Sequence, residues 1–363
     1  MKRYVKMSLS VFLILFMLLG SLTGCQTDMP EADLPTTDNP FVDDPFEQND
    51  NSTPNFLGWL RHGAADSILD ENGLRAAYEY NGGKFELDYH VTATGSAKNV
   101  GFLLFLDGIP QPYQINGEGD VDYMHTLSLE EDDKDYRFSF TFIPVTGSAG
   151  DTSKLNVFSV NNVQFQPDMK VSTGYGFYHD ILESYFTIEF ATDTDYSEEK
   201  ERMAALSSVG VATKDMTSDF VNTYLDTGFI VDGQTTEERL DDAVYEFINY
   251  NGETVYDNIN ISDIDTVHVV YQMVGTPGAV YRVSIFANHR PLTNGETMTW
   301  DMALSKGKVA VLETDIDISL LDDFTTFYVF ACPVDTVGVP KSNVLLGVKT
   351  NSVLLMRIKG RKE

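Results

Sequence analysis

The groups in this chain that could do chemistry are six histidines, two cysteines and 55 carboxylates. His62, His90, His125, His179, His268 and His289 stand far apart, and neither His-Glu-x-x-His nor Cys-x-x-Cys occurs, so the spacing holds no zinc set. Ser197-Glu198-Glu199-Lys200 has the spacing in which a lysine activates a serine. Its companion motif is missing, because Lys349-Thr350-Asn351 lacks the required glycine, so the segment reads as a helix cap. No Gly-x-Ser-x-Gly and no phosphate-cradling loop is present, and nothing in the spacing marks the chain as an enzyme. A carboxylate pair assembled from distant positions would leave no such mark.

Two binding chemistries remain. Asp-x-Asp pairs recur at Asp120/Asp122, Asp193/Asp195, Asp263/Asp265 and Asp315/Asp317. Residues two apart on a strand share a face, and Ca²⁺ takes six to eight such oxygens, so Asp315 and Asp317 are the candidate calcium ligands. No complete calcium loop accompanies them, and with so many acids such pairs also arise by chance. Aromatic rings held out on loops could stack on sugars. Tyr113 follows Pro112, and Tyr175, Phe177 and Tyr178 lie in Gly174-Tyr175-Gly176-Phe177-Tyr178. The competing reading of all four is ordinary core packing.

The elements that would position these residues are strands. Phe85 to Val91 and Tyr136 to Ile143 alternate apolar and polar, the period of a half-buried strand, and Val100 to Leu106 is almost wholly apolar, as in a central one. Asp107-Gly108 supplies a tight turn, and Pro110 and Pro112 bar a following central strand. His90 and His268 fall on expected strands and read as structural. The second half repeats the first. Val267 to Tyr271 answers Leu87 to Val91, and Tyr281 to Phe286 leads to Pro291 as Phe102 to Leu106 leads to Pro110. Tyr80-Asn81-Gly82 is matched to Tyr250-Asn251-Gly252, and Phe142-Ile143-Pro144-Val145 to Ala331-Cys332-Pro333-Val334. The expectation is an all-β chain with two β-sandwich modules, residues 56–168 and 233–363. They resemble immunoglobulin-like sandwiches in architecture only, without the Cys–Trp–Cys hallmark. Residues 169–232 connect them. Tyr185 to Phe190 is expected as a strand, with short helices over Ser197 to Leu206 and Arg239 to Phe247, where capping-box spacing occurs.

The N-terminus gives the address. Lys2, Arg3 and Lys6 precede an apolar run from Leu9 to Leu19, too short to span a bilayer, which breaks at Gly20-Ser21 and ends in Leu22-Thr23-Gly24-Cys25. This resembles the signal peptide and lipobox of bacterial lipoproteins. The resemblance implies removal of residues 1–24 and a diacylglyceryl thioether on Cys25, anchoring the chain outside the cytoplasm by two acyl chains. Gln26 is not the aspartate linked to inner-membrane retention in that family. Cys332, inside the run Phe327 to Val334, is then the one remaining thiol, and it reads as buried and inert.

Residues 25–55 form an acidic tether. From Gln26 to Asn55 there is no Lys or Arg, and Pro30, Pro35, Pro40, Pro45 and Pro54 punctuate a self-repelling stretch that cannot bury enough apolar surface to fold. Extended at ~3.1 Å per residue, it would reach ~90 Å. Past the signal, 22 basic residues face 55 acidic ones, a net charge of −33. That charge excludes nucleic acid as a partner and opposes lying flat on anionic lipid. The sequence thus points to a lipid-anchored extracytoplasmic binding or interaction protein, and the role of accessory to a membrane transporter or secretion complex fits it equally well. A carbohydrate-binding surface protein is the second reading and a hydrolase of cell-wall polymers the third.

Overall fold

The computed structural model describes residues 58–66, 76–95, 97–163, 180–197, 203–224, 238–240, 243–335, 339 and 345–357. Contacts separate residues 1–55 from residues 56–363, and every described element belongs to the second unit. These elements are almost all strands, and they form two β-sandwiches.

The first sandwich is built from β1 (Leu60–Ala64), β2 (Tyr78–Tyr80), β3 (Phe85–Ala93), β4 (Asn99–Leu106), β5 (Ile109–Gln111), β6 (Tyr113–Ile115), β7 (Glu118–Asp122), β8 (His125–Ser128), β9 (Tyr136–Phe142), β10 (Thr152–Asn161) and β11 (Ile181–Phe190). One sheet runs β1-β3-β9-β6-β7. The other runs β2-β11-β10-β4-β5, with β8 also on β4. On β3, Phe85, Leu87, Tyr89 and Val91 are buried while Glu86 and Asp88 face solvent, as alternation dictates. Asp107 and Gly108, both with positive φ, turn β4 back into β5.

The second sandwich comprises β12 (Leu206–Asp215), β13 (Val244–Tyr250), β14 (Asn258–Asn260), β15 (Thr266–Gly275), β16 (Val280–Ala287), β17 (Arg290–Pro291), β18 (Trp300–Ala303), β19 (Lys308–Asp317), β20 (Phe324–Asp335), β21 (Val348–Lys349) and β22 (Val353–Met356). Its sheets run β12-β19-β15-β13 and β14-β22-β20-β16-β17, with β18 on β16 and β21 on β20. The strand orders of the two sandwiches superimpose. β1-β3-β9-β6 answers β13-β15-β19-β12, and β2-β11-β10-β4-β5 answers β14-β22-β20-β16-β17. Even the parallel pairings correspond, β2 on β11 and β14 on β22.

This topology sorts the sequence matches. Leu87 against Val267, Phe102 against Tyr281 and Pro110 against Pro291 fall on equivalent strands. The other two matches are corrected. Tyr80 ends β2 whereas Tyr250 ends β13, the counterpart of β1. Phe142 ends β9 whereas Ala331 to Val334 lie in β20, the counterpart of β10. Apolar-Pro-Val runs at strand ends are cheap to repeat and carry no register.

The region between the modules is also redistributed. Tyr185 to Phe190 lies in β11, which pairs with β10 and β2 and closes the first sandwich. Leu206 opens β12, which pairs with β19 of the second. The helix expected over Ser197 to Leu206 does not form in its described part, since Met203 bridges Leu292 and Leu206 is already strand; residues 198–202 lie outside the described residues. The one expected over Arg239 to Phe247 is helical only at Glu238–Leu240 in its described part, and Val244 to Phe247 belong to β13. Pairing with β15 overrides the local capping signal there. A helix does form at α1 (Ser218–Tyr224), where the Thr217 hydroxyl accepts from the Phe220 N–H at 3.1 Å as its N-cap.

Candidate functional site

The apolar runs of β4 and β10 are buried on both faces, and the second face explains the molecule. Phe102, Leu104 and Leu106 enter the first sandwich's core, while Leu103 and Phe105 point away from it. Together with Phe158, Val160 and Val163 they meet Phe286, Tyr328, Phe330 and Cys332 of the second sandwich. The two sandwiches are thus joined face to face through an aromatic seam. Phe105 and Phe158 lie 4.7 Å and 4.5 Å from Phe330, centroid to centroid. Two glycines permit this approach, for a Cβ on Gly347 would sit 2.3 Å from Phe158 Cζ and one on Gly108 2.7 Å from Val334 Cγ1. Cys332 is fully buried here, and burial pushes its thiol well above the usual range, which makes it inert.

Polar ties rim the seam. The Glu183 carboxylate accepts from the Gly347 N–H at 2.8 Å and from the Asn156 amide. Arg282 donates to the Asp107 carbonyl at 3.0 Å while chelating Asp301 at 2.7 and 2.9 Å, and Arg290 donates to both carboxylate oxygens of Asp122 across the seam. At one corner Lys349 holds its ammonium 4.8 Å from the Tyr328 ring centroid and donates to Thr350 O and Ser352 Oγ, each at 3.0 Å. Its stem reaches the rim, but the amine is enclosed and desolvation lowers its pKa to about 7. Beside it His289, contacting Tyr328 Oη at 3.1 Å and the Val163 carbonyl at 3.4 Å, is driven by burial down to about 4 and stays neutral. Burial also raises the Asp180 carboxyl, partly offset by Lys349. Val163 and Asp180 both lie at this corner. Tyr328, Thr350 and Ser352, the partners of the amine, all lie in the second sandwich, and the contact that crosses between the modules at this corner is that of His289 with the Val163 carbonyl.

Two surfaces face outward. On the first sandwich an open groove of about 400 Å³ is lined by Asp66, Glu86, Asp88, Asn116, Arg137 and Ser139 among others, with Ser139 Oγ donating to Glu86 at 2.9 Å. On the second, β12 pairs with β19 alone among the described strands, and residues 210 to 215 are all exposed.

Of the residues singled out in the sequence, Cys25, Tyr175, Phe177 and Tyr178 lie outside the described residues. Tyr113 is corrected as a sugar-stacking ring. It is wholly buried, its hydroxyl donating to the Phe102 carbonyl at 2.7 Å and its ring packed edge-on against Phe140. The preceding proline starts an inward-facing strand there rather than a loop tip. Asp315 is held by His268 Nδ1 at 2.8 Å, and Asp317 caps a 3₁₀ turn by accepting from Ser319 N at 2.9 Å. Alternation sets them on one face, but each has a different occupation, and among the described residues no three His, Cys, Asp or Glu side chains are grouped to hold a metal. Asp122, from another pair, is the seam ligand of Arg290. His90 contacts Asp135 at 2.8 Å. The seam was hidden because a strand buried on both faces reads the same whether a neighbouring sheet belongs to its own module or to the next.

No family model matches the chain, and no curated relative does. Among the solved structures similar to this chain at a low level are two. One is the CsuC–CsuE chaperone–tip adhesion subunit pre-assembly complex from archaic chaperone-usher Csu pili of Acinetobacter baumannii, at 8% identity and TM-score 0.17, over 78% of this chain and 95% of that one. The other is a protein of Corynebacterium diphtheriae described as membrane-anchored, at 8% identity and TM-score 0.19, over 84% of this chain and 60% of that one. Among the described residues no helix is long and apolar enough to cross a membrane.

Proposed function

We propose that this is a lipid-anchored extracytoplasmic binding protein that acts by holding a partner rather than by turnover, as accessory to a membrane transporter or secretion complex. The observation that carries the reading is the basic start and apolar run ending in Leu22-Thr23-Gly24-Cys25. Two sandwiches joined through a packed seam would serve as a platform for contact, with the acidic, proline-punctuated sequence 25–55 as its spacer. The platform's offerings are surfaces for contact, the polar groove on one module and the strand edge on the other. Intact-mass spectrometry of the protein extracted from its native membrane tests the anchor. The expected species begins at Cys25 with a diacylglyceryl group, and Cys25→Ser abolishes both the lipid and the cleavage before residue 25. An unmodified chain that still carries residues 1–24 overturns the reading.

A further inference from the structure

The two sandwiches share a strand order but finish one sheet differently. In the first, the hairpin partner β7 lies outside β6, and it carries Glu118, Asp120 and Asp122. In the second, β12 occupies the place of β6 and no described strand lies outside it. β12 is ten residues long, with one bulge near Ser208 at its start. Its ladder partner for Val211 is Leu312, a core residue of the sandwich, so Val211 sits on the inward face of the sheet; yet it is 43% exposed. The sandwich interior is open along this edge.

The edge is also electrically quiet. From Met203 to Thr213 no residue is charged, in a chain with a net charge of −30. The charges beside it are internally neutralised, Lys214 by Glu313 at 2.6 Å and Lys308 by Asp215. Natural proteins protect long edges with lysines, prolines, bulges or covering strands; β12 has one bulge, between Ser207 and Gly210, and from Gly210 to Thr213 it has none of these devices.

We propose that β12 is the interface through which two copies of this chain associate, by antiparallel pairing of β12 with its counterpart about a two-fold axis. Two features select a second copy as the occupant. Strongly acidic bodies repel one another, and a neutral strip is where two of them meet without facing like charges. The strip is also nearly palindromic: Ser207-Ser208-Val209-Gly210-Val211-Ala212-Thr213. A two-fold axis at Gly210 places the half-buried Val209 of one copy opposite the exposed Val211 of the other, covering Val211. Such a contact is isologous and closes on itself, so it ends at a dimer.

Sedimentation equilibrium of the chain from Gln26 onward, which lacks the lipidated cysteine, tests this independently of membrane anchoring. The expected result is a concentration-dependent monomer–dimer equilibrium, with hydrogen exchange slowing in β12 as the dimer forms. Val211→Lys, at a site exposed enough to tolerate it, raises the dimer Kd about tenfold or more. Ala212→Arg does the same, and Val121→Lys on β7 leaves it unchanged. A monomer at every concentration overturns the proposal, even if the strand of another protein is found on β12. So does a dimer that survives both β12 variants, or one whose protection maps elsewhere.

Discussion

The two sandwiches share a topology and fill it with different matter. The first packs rings, with Tyr89, Phe102, Tyr113, Phe138, Phe140 and Phe186 among its buried side chains. In the second the equivalent volume is mostly aliphatic, with Val267, Val269, Val283, Ile285, Leu312, Ile316 and Val329, and its buried rings are Tyr250, Tyr271, Tyr281 and Phe327. The difference teaches that the pattern of inward positions, not their identity, specifies the strand order. Once the interior is secured, the surfaces diverge: one module closes its sheet with a charged hairpin, the other leaves a neutral strand open. The seam is where the pair became one body.

The comparison can be broken hardest at a ring. Phe140 is fully buried and packs against Tyr89, Phe102, Tyr113 and Phe138. Phe140→Ala should cost about 3–5 kcal/mol, more than Ile285→Val in the second core at about 1 kcal/mol. Denaturant titration of both variants measures the contrast, and equal losses would show that the aromatic core is slack.

Acid should act on the modules with opposite signs. His62 is buried in the first, contacting Tyr89 Oη at 2.6 Å and the Leu182 carbonyl at 3.1 Å, and desolvation lowers its pKa from 6.5 to about 4. The unfolded chain therefore binds a proton that the folded one refuses. The stability this contributes is full above pH 6.5 and lost as pH falls to about 4, a total of about 3 kcal/mol. His62→Gln should flatten that window. Glu246 in the second module behaves inversely. Its carboxyl accepts from Tyr271 Oη at 2.7 Å in an enclosed site that raises its pKa from 4.5 to about 7. The folded chain here holds the extra proton, so stability falls as pH rises from 4.5 to 7. Glu246→Gln keeps an acceptor for Tyr271 and should stabilise the protein above pH 7 by about 1–2 kcal/mol, after allowing for solvent near the half-buried strand. Melting curves across pH 4–8 separate the two effects; slopes of the same sign in the two variants would contradict the assignment.

Much of the body was legible because period-two burial is written directly in the residues. β3, β4, β9, β15 and β16 stand where alternation or continuous apolarity placed them. What failed rested on local signals that tertiary pairing overrides. The capping-box spacing ahead of Arg239 did not keep Val244 to Phe247 helical once β15 offered a ladder, and proline before Tyr113 did not hold that ring outside. The seam and the open edge were not legible at all. Both depend on which strands lie side by side, and a strand's sequence records that its face is covered or bare, not by what.

The claim underlying the whole account is that the seam fuses two sandwiches into one body. Calorimetry of the wild-type chain beside Phe330→Ala, which empties the centre of the seam while touching neither module's own core cluster, tests it most directly. One cooperative transition in the wild type, divided into two in the variant, is the predicted result. Two independent transitions already present in the wild type, unmoved by the substitution, would contradict it.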